Sequence, residues 1–500
     1  MLYTSTRDNS IRVSAAQAIA QGISEEGGLF VPVELPHFDI EKIASMASMN
    51  YIDRAKTVLK EYLTDFTEEE LDYCVSGAYA AQKFSSPQIA PTVNVDGNKN
   101  ILELWHGPTC AFKDMALQLL PYLMTVSAKK TADGKTIVIL VATSGDTGKA
   151  ALEGFKNVDN TKILVFYPVD GVSPMQKLQM TTQEGENVAV CAINGNFDDA
   201  QSAVKSIFTN NDIKKELAKK NMMFSSANSI NWGRLVPQIV YYFSTYCDLI
   251  NMNKIKAGDE INIVVPTGNF GNILAAYYAK KMGLPIAKFI CASNENNVLT
   301  DFIKTGVYNK NRDFHTTISP SMDILISSNL ERFLYDLTGC DDKLVSEWMK
   351  ELNTNGSYEV SADVKAKMQE MFTAGCCDDA ETMATIKKCA SEYDYVIDTH
   401  TAVAKSVYDK YVAQTGDTTK TIIASTASPF KFNQSVLIAL EDHNAVVGKD
   451  EFTLLKELSE KSNMQIPKSL YELKDKSVVF DLVCDKDEMQ QIVSDFLMVE

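Results

Sequence analysis

Apolar and polar positions along the chain follow two patterns, and the change between them falls near residue 90. Before it, apolar residues recur at helical spacing, which predicts amphipathic helices. These helices are expected over residues 14–21, 40–47, 51–63 and 67–81. The first follows a polar, strand-like opening and has Ser14 as a plausible N-cap. We therefore expect a mostly helical N-terminal domain over residues 1–90.

The rest of the chain alternates short apolar runs with helical stretches. Apolar runs of strand length, separated by helices, are typical of parallel sheets that helices cover on both faces. The predicted strands lie at 136–141, 163–167, 188–193, 261–265, 286–291, 395–398 and 421–424. The fold class is therefore α/β. We expect two α/β subdomains around a central cleft within residues 91–440, the smaller at about 125–215 and inserted in the larger. Residues 441–500 predict a C-terminal helical extension, with helices at 451–461 and 487–497.

The composition argues against several classes of protein. A chain of 500 residues is too long for one hydrophobic core, and its formal net charge of −17 disfavours binding to nucleic acid or anionic membrane. No apolar run reaches transmembrane length, and residues 1–12 lack the apolar segment of a secretory signal. The ten cysteines are scattered without zinc spacing, which indicates a reducing compartment and no metal site. We expect a cytoplasmic protein.

Candidate chemistry begins with Lys113, in the stretch LELWHGPTCAFKDMALQLL at 102–120. Apolar residues over 112–123 recur at helical spacing and predict one helix against a core, with the lysine where that helix begins. An amine beside a buried surface can lose its charge and become a nucleophile. The alternative interpretation is a lysine whose stem lies on the core while its head reaches water.

A second candidate is the loop in VATSGDTGK at 141–149, which joins a predicted strand to a predicted helix. Backbone N–H groups and hydroxyls in such a loop can bind an anion. A nucleotide-binding P-loop would need Gly at position 143 and Ser or Thr at position 150, where this chain has Thr143 and Ala150. The sequence therefore favours a carboxylate or phosphate site over a nucleotide site.

Two further loops follow predicted strands, and a third polar stretch ends in an arginine at the start of a predicted helix. VPTGNFGN at 265–272 contains Gly268 and Gly271, which let the backbone curl around a phosphate, although a structural turn explains the motif equally well. It lacks the full dinucleotide fingerprint. The stretches SSANSINWGR at 225–234 and ASTASPFKF at 424–432 are rich in donors, but each alone is explained by capping and turn chemistry.

Taken together, these loops indicate more than each does alone. Ligands of open α/β sheets gather at the carboxyl ends of the strands, where all four loops are predicted to lie. A reactive lysine, a phosphate turn, a carboxylate loop and a hydroxyl near a strand end form a coherent set. A pyridoxal phosphate enzyme of the non-aminotransferase kind requires this set.

The motifs also carry a family resemblance. LWHGPTCAFKDM, ATSGDTGK, NSINWGRL, PTGNFGN and STASPFKF, in this order, resemble the threonine synthase family. The opening, with YTSTR at 3–7 and EGGLFVP at 26–32, is similar to the N-terminal domain of that family. The family belongs to the fold type II pyridoxal phosphate enzymes and is related to the tryptophan synthase β subunit.

The resemblance implies a role for individual residues. It makes Lys113 the lysine that forms a Schiff base with pyridoxal 5′-phosphate, and Thr426 the partner of the ring nitrogen. The cofactor phosphate would lie on Gly268, Asn269, Phe270, Gly271 and Asn272. The substrate carboxylate would lie on Thr143, Ser144, Gly145, Asp146 and Thr147. For the substrate phosphate the candidates are Arg234, whose planar fork suits phosphate oxygens, Lys149, and less favourably Lys431.

The implied reaction converts O-phospho-L-homoserine and water into L-threonine and phosphate, the last step of threonine biosynthesis. Lys113 would remove the Cα proton of the substrate. The expected partner is this small molecule, and the expected state is a monomer or homodimer. Alternatives are another fold type II lyase, such as a threonine or serine dehydratase, and a silent binding protein with the same fold. We expect His106 and His400 to make structural hydrogen bonds, with acid–base catalysis as the alternative.

Overall fold

The computed structural model describes residues 1–131, 134–143, 145–170, 172–195 and 197–499 of the chain. Within these ranges, no helix is long and apolar enough to cross a membrane.

The N-terminal unit consists of a small antiparallel sheet and four helices. Its elements are β1 (Tyr3–Ser5), β2 (Asp8–Val13), α1 (Ala15–Gln21), β3 (Phe30–Pro32), α2 (Ile40–Ser45), α3 (Tyr51–Tyr62) and α4 (Glu68–Ala78), with 3₁₀ helices at Met46–Ser48 and Ala81–Lys83. The predicted N-cap is confirmed, since the Ser14 hydroxyl accepts from the N–H of Gln17. At the start of α4, Thr67 forms a capping box with Glu70. The strand order is β2-β1-β3.

Strand and helix alternate through the next part of the chain. Its elements are β4 (Thr92–Asp96), β5 (Lys99–Glu103), α5 (Lys113–Leu117), α6 (Leu120–Thr131), β6 (Thr136–Ala142), α7 (Asp146–Phe155), β7 (Thr161–Pro168), α8 (Pro174–Thr181), β8 (Val188–Asn194), α9 (Phe197–Thr209), α10 (Asn211–Lys219) and β9 (Met222–Ser225). The strands predicted at 136–141, 163–167 and 188–193 are thereby confirmed.

The alternation continues beyond β9. The elements are α11 (Trp232–Asn251), β10 (Ile261–Pro266), α12 (Gly271–Lys281), β11 (Ile286–Ser293), α13 (Val298–Thr305), β12 (Val307–Asn309), α14 (Leu330–Leu337), α15 (Asp342–Thr354), β13 (Ser357–Glu359), α16 (Ala362–Met371), β14 (Phe372–Cys376), α17 (Asp379–Tyr393), α18 (Thr399–Thr415) and β15 (Thr421–Ser425), with 3₁₀ helices at Pro320–Met322 and Pro429–Phe432. The final elements are α19 (Asn433–Leu440), α20 (Glu451–Ser462), α21 (Lys468–Tyr471), β16 (Val483–Asp485) and α22 (Met489–Leu497), with 3₁₀ helices at His443–Ala445, Glu472–Asp475 and Lys486–Glu488.

Two sheets organise the α/β region. The larger has the order β14-β11-β10-β15-β5-β4, parallel except for the β4–β5 hairpin. The smaller, β16-β8-β7-β6-β9, is parallel throughout. The chain makes β5 of the larger sheet, then four strands of the smaller, and then returns with β10. Its last strand, β16, comes back to the smaller sheet and pairs with β8.

The sequence prediction is wrong at two places. The helix predicted over 112–123 is two helices, because Pro121 has no N–H and cannot donate to the carbonyl of Leu117. That carbonyl faces Gly154 of α7, where an added Cβ would lie 2.0 Å from it. The strand predicted at 395–398 is absent from the structure. Asp398 instead caps α18 by accepting from the N–H groups of His400 and Thr401.

Candidate active site

Lys113 is the first residue of α5, in the connection that leaves the carboxyl end of β5. Its Nζ donates to Ser321 Oγ at 3.1 Å and lies 3.9 Å from Asp146 Oδ2. Burial lowers the pKa of Lys113 to about 8, although the charge of Asp146 opposes this and those of Lys431 and Arg234 add to it. An appreciable fraction of the amine is therefore neutral near physiological pH.

Asp146 is the first residue of α7, in the loop that leaves β6. Its Oδ1 lies 2.7 Å from the Nζ of Lys431 and accepts from Gln176 Nε2 at 2.9 Å. Burial raises the pKa of Asp146, but the positive charges of Lys431 and Lys113 outweigh it and hold that pKa below its ordinary value. The site therefore keeps one fixed carboxylate beside two amines.

The loop that carries Asp146 is held from within. Thr143 Oγ1 accepts from the N–H groups of Gly145 at 3.0 Å and Gly148 at 2.9 Å. Gly145 has φ of 131°, and an added Cβ would lie 2.4 Å from the Gln176 carboxamide, so only glycine fits there. Thr147 follows in the first turn of α7. Ser144, predicted to bind the substrate carboxylate, lies outside the described residues.

The glycine-rich turn between β10 and α12 has its left-handed residue at Phe270 and not at either glycine. Phe270 is in the left-handed conformation, with φ of 62°, and α12 begins at Gly271. Gly268 approaches the segment that carries Ser321 so closely that an added Cβ would lie 2.7 Å from the Ser321 carbonyl oxygen. Lys113 and the glycine-rich turn therefore meet at Ser321.

Two neighbouring contacts fix the backbone of this turn. Ser327 Oγ donates to the Gly268 carbonyl at 2.8 Å, and the N–H of Asn329 donates to the Asn269 carbonyl at 3.1 Å. With these carbonyls held from outside, the turn has a fixed shape before any ligand binds.

Two buried side chains near these loops have polar atoms without a partner. Asn272 Oδ1 accepts from the hydroxyls of Tyr241 and Tyr242, but its Nδ2 has no partner among the described residues. Arg234 Nη1 donates to the Ala227 carbonyl at 2.5 Å, and within the same ranges its Nε has no partner. Burial lowers the pKa of Arg234 to about 10. Unpaired buried donors are costly, which indicates that a ligand supplies the missing acceptors.

The other predicted site residues have different surroundings. Thr426 is buried, and its carbonyl accepts from the N–H of Phe112 at 2.8 Å, so its backbone lies beside Lys113. Lys149 donates to Glu153 at 3.0 Å and to Gln183, so its ammonium already has two partners in the protein. These contacts give no support to a phosphate-binding role for Lys149.

Ser321 is the residue of the site that the sequence analysis missed. It lies in a short 3₁₀ helix within a stretch of mixed character, and nothing in its immediate sequence indicates chemistry. Lys431, the least favoured phosphate candidate, lies at the centre of the site and also donates to the Thr109 carbonyl at 3.0 Å. Its position within the strand-end motif at 424–432 was the available signal.

Both histidines considered in the sequence analysis make hydrogen bonds within the protein. His106 Nε2 lies 2.7 Å from Glu103 Oε2, and its Nδ1 lies 2.9 Å from Ser85 Oγ. His400 Nδ1 lies 3.0 Å from Asp398 Oδ1.

The chain is similar to known proteins over most of its length. Three family models match, described as threonine synthase N terminus (residues 2–79), pyridoxal-phosphate dependent enzyme (residues 88–363) and threonine synthase, C-terminal (residues 401–491). Threonine synthase of Saccharomyces cerevisiae is 36% identical over 485 residues, covering 91% of each chain. The chain belongs to the threonine synthase family.

Other members of the threonine synthase family extend the comparison. The crystal structure of PLP-bound threonine synthase from Brucella melitensis has a TM-score of 0.87 and 34% identity, covering 99% of each chain. The protein named threonine synthase-like 1 from Macaca fascicularis is 40% identical over 473 residues, covering 92% of this chain and 61% of that protein. The chain thus spans about three fifths of the length of that relative.

The residues of the site fit the cofactor of this family, pyridoxal 5′-phosphate. Its aldehyde needs an amine that can be neutral, which Lys113 offers. Its phosphate needs clustered donors, and the amides at the start of α12 lie beside the unpaired Nδ2 of Asn272. Gly268 leaves the space that a side chain would fill. The chain belongs to the pyridoxal-phosphate dependent enzyme family and has a mixed α/β fold with a helical N-terminal region.

Proposed function

We propose that this protein is a threonine synthase, which converts O-phospho-L-homoserine and water into L-threonine and phosphate. The observation that carries the proposal is the meeting of Lys113 and the glycine-rich turn at Ser321, which joins an amine of lowered pKa to a phosphate site. Full-length relatives named threonine synthase support the substrate assignment.

Cofactor binding is assigned to two groups of residues. Lys113 holds the aldehyde, and the turn formed by Gly268, Asn269, Phe270, Gly271 and Asn272 holds the phosphate. Thr426 faces the ring nitrogen, where a hydroxyl cannot keep the nitrogen protonated as a carboxylate would. Bound pyridoxal phosphate supplies an electron sink for negative charge that develops at the substrate Cα.

Substrate binding is assigned to the loop at the start of α7 and to Arg234. Thr143, Ser144 and Thr147, with the amides of Gly145 and Asp146, receive the α-carboxylate at a helix N-terminus. Arg234 supplies the cation for the substrate phosphate, because its Nε is buried and has no partner in the described part of the chain. Lys149 stays a weaker candidate, since Glu153 and Gln183 already bind it.

Lys113 is the base in this proposal. A neutral amine removes the proton from the substrate Cα, and a pKa near 8 keeps enough neutral amine present for this step. Asp146 and Lys431 neutralise each other, so neither transfers the proton.

Activity with defined substrates tests the proposal. Purified protein supplied with pyridoxal phosphate and O-phospho-L-homoserine is expected to release threonine and phosphate in equal amounts. Lys113→Ala is expected to abolish both products, while Lys129→Ala, an exposed lysine of α6, retains them. Deamination of threonine without phosphate release would instead identify a dehydratase and contradict the proposal.

The remaining proposals concern organisation and location. We divide the chain into an N-terminal domain (1–90), a catalytic region (91–440) with the small subdomain at about 125–215, and a C-terminal extension (441–500). The extension reaches the small sheet through β16. The partner is the small-molecule substrate, without nucleic acid or membrane, and the protein acts as a monomer or homodimer. The free state of all ten cysteines supports a cytoplasmic location.

A further inference from the structure

A chain of hydrogen bonds leads from the N-terminus of α18 to the amine of Lys113. The ring Nδ1 of His400 lies 3.0 Å from Asp398 Oδ1. On its other side, His400 Nε2 accepts from the backbone N–H of Ser321 at 3.1 Å. Ser321 Oγ in turn accepts from Lys113 Nζ at 3.1 Å. Four residues thus connect a buried carboxylate to the amine assigned to the cofactor.

The direction of these bonds fixes the state of the imidazole. A backbone N–H can only donate, so Nε2 of His400 must carry a lone pair and the ring must be neutral. Its proton therefore lies on Nδ1 and points to Asp398. Asp398 is itself fully buried and accepts from the N–H groups of His400 and Thr401 and from the Thr401 hydroxyl. The tautomer of His400 is thus set by a carboxylate that cannot move.

The surroundings of the ring hold it in one orientation. His400 is 2% exposed, and its ring packs on Phe432 with centroids 4.9 Å apart. Thr399 Oγ1 lies 3.4 Å from the same Nδ1. Phe432 adjoins Lys431, which is paired with Asp146 on the far side of the amine. The imidazole is therefore a rigid support and not a group free to exchange with solvent.

We propose that Asp398 and His400 are positioning residues for Lys113, which orient its amine through the backbone and hydroxyl of Ser321. The proposal rests on the assignment of Lys113 as the amine of the active site. His400 touches neither the amine nor the glycine-rich turn in this arrangement. It holds Ser321 by the backbone N–H, while the Ser321 hydroxyl accepts from Lys113 and the Ser321 carbonyl oxygen lies against Gly268.

The proposal has a measurable consequence for Lys113 itself. A hydroxyl oxygen that accepts from an ammonium favours its charged form, so loss of this contact lowers the pKa of the amine further below its ordinary value. The other charged groups that face the amine are Asp146 of α7, Lys431 of the 3₁₀ helix Pro429–Phe432, and Arg234 of α11. Ser321 Oγ also donates to Asp146 Oδ2 at 3.4 Å, so Ser321→Ala removes that bond too, whereas the His400 variants leave all three charged side chains and the Ser321 hydroxyl in the chain.

The test uses the full chain stripped of pyridoxal phosphate and measures the rate of cofactor capture against pH. Capture requires the neutral amine, so the pH midpoint of the rate reports the pKa of Lys113. For Ser321→Ala we expect the midpoint to fall by about 0.5–1 pH unit. His400→Phe is expected to give a fall of similar size, because the acceptor for the Ser321 N–H, which orients Ser321 toward Lys113, is removed.

Further variants separate positioning from general damage to the fold. His400→Asn is a second variant that keeps a polar group near Asp398 but does not reach Ser321, and it should behave like His400→Phe. His400→Gln retains an acceptor near the position of Nε2 and is expected to restore the wild-type midpoint. The double variant Ser321→Ala/His400→Phe should show no further fall, since both changes remove the same contact.

Two outcomes overturn the proposal in distinguishable ways. A wild-type midpoint in the folded His400→Phe or His400→Asn chain, or additive shifts in the double variant, would refute the positioning role alone. Capture that survives Lys113→Ala at the wild-type rate would refute the assignment of the amine, and with it both this inference and the proposed function.

Discussion

Lys431 and Asp146 form a buried ion pair, with Nζ and Oδ1 2.7 Å apart, that joins the two α/β units of the protein. Lys431 lies just after β15 of the larger sheet, and Asp146 starts the helix that follows β6 of the smaller one. Their side chains are 0% and 4% exposed. The pair therefore links the two sheets beside Lys113, whose Nζ lies 3.9 Å from Asp146 Oδ2.

Removal of one member of this pair is expected to destabilise the protein strongly. Lys431→Met leaves the carboxylate buried without its cation, and we expect the free energy of unfolding to fall by about 3–5 kcal/mol. The double variant Lys431→Met/Asp146→Asn should lose less than the single change, because no buried carboxylate is left without the Lys431 cation. Urea unfolding of the four proteins measures the coupling. Lys367→Met, in an exposed pair with Asp363, is the control and should change little. If the losses of the two single variants simply added in the double variant, the interpretation of a coupled buried pair would be contradicted.

Gly268 and Gly271 provide a matched pair of substitutions within one turn. An added Cβ at Gly268 would lie 2.7 Å from the Ser321 carbonyl, whereas at Gly271 its nearest atom, Asn329 Nδ2, is 3.5 Å away. Gly268→Ala should therefore displace the Ser321 segment and lower the free energy of unfolding of the cofactor-free chain by about 1–3 kcal/mol. Gly271→Ala should fold with nearly wild-type stability. Similar unfolding midpoints for both variants would show that the Ser321 segment yields without strain.

Much of the site could be predicted because its residues lie at strand ends. In a parallel sheet the carboxyl ends of the strands share one edge, so Lys113 after β5, Asp146 after β6, Gly268 after β10 and Thr426 after β15 converge once the strands are recognised. The strands themselves are apolar runs of ordinary length. Helix caps such as Ser14 could be predicted because capping depends only on neighbouring residues: a short polar side chain just before a helical apolar pattern can accept from the first turn.

What escaped prediction depends on contacts between distant residues. Ser321 becomes part of the site only because Gly268 lets its backbone approach, and neither residue carries a signal for the other. The three residues of β16 form a strand only because β8 offers a free edge. The break between α5 and α6 could have been predicted from Pro121, which lacks an N–H. The helical spacing of the apolar residues on both sides of it instead favoured one continuous helix.

Arg332 ties the N-terminal unit to the catalytic region and has no carboxylate partner in the contacts that the structure describes. It is fully buried, and its guanidinium donates to the Phe30 carbonyl at 3.0 Å and, at 2.6 Å, to both Asn329 Oδ1 and the Ile230 carbonyl. A lysine has the charge but not the planar fork. We expect Arg332→Lys to lower the free energy of unfolding by about 2–4 kcal/mol, because buried acceptors lose their donors.

The matched control for this arginine is Arg12→Lys. Arg12 is exposed and donates to carbonyls of its own strand region, where water can replace it. Urea unfolding of both variants makes the comparison, and thermal melting should rank them in the same order. A loss at Arg332 no larger than the loss at Arg12 would mean that the three acceptors find other donors.

Asp114, the neighbour of Lys113, should make the stability of the protein depend on pH. Burial raises the pKa of Asp114 to about 6 from its ordinary value of 3.8, although the N–H and hydroxyl of Thr109 donate to the carboxylate and oppose the shift. Between these two pH values the folded chain holds a proton that the unfolded chain has released. Stability from this group is therefore full below about pH 4 and is lost as pH rises through 6, by about 3 kcal/mol in all.

Asp114→Asn isolates this contribution, because asparagine stays neutral and all other ionisations cancel in the comparison. The free energy of unfolding of the variant should equal that of the wild type at pH 4. It should exceed the wild-type value increasingly as pH rises, until the difference becomes constant above pH 7. Urea unfolding at intervals of one pH unit gives the difference directly. A difference that does not change with pH would mean that the carboxylate is already charged in the folded protein at pH 4, with Thr109 and Lys431 outweighing its burial.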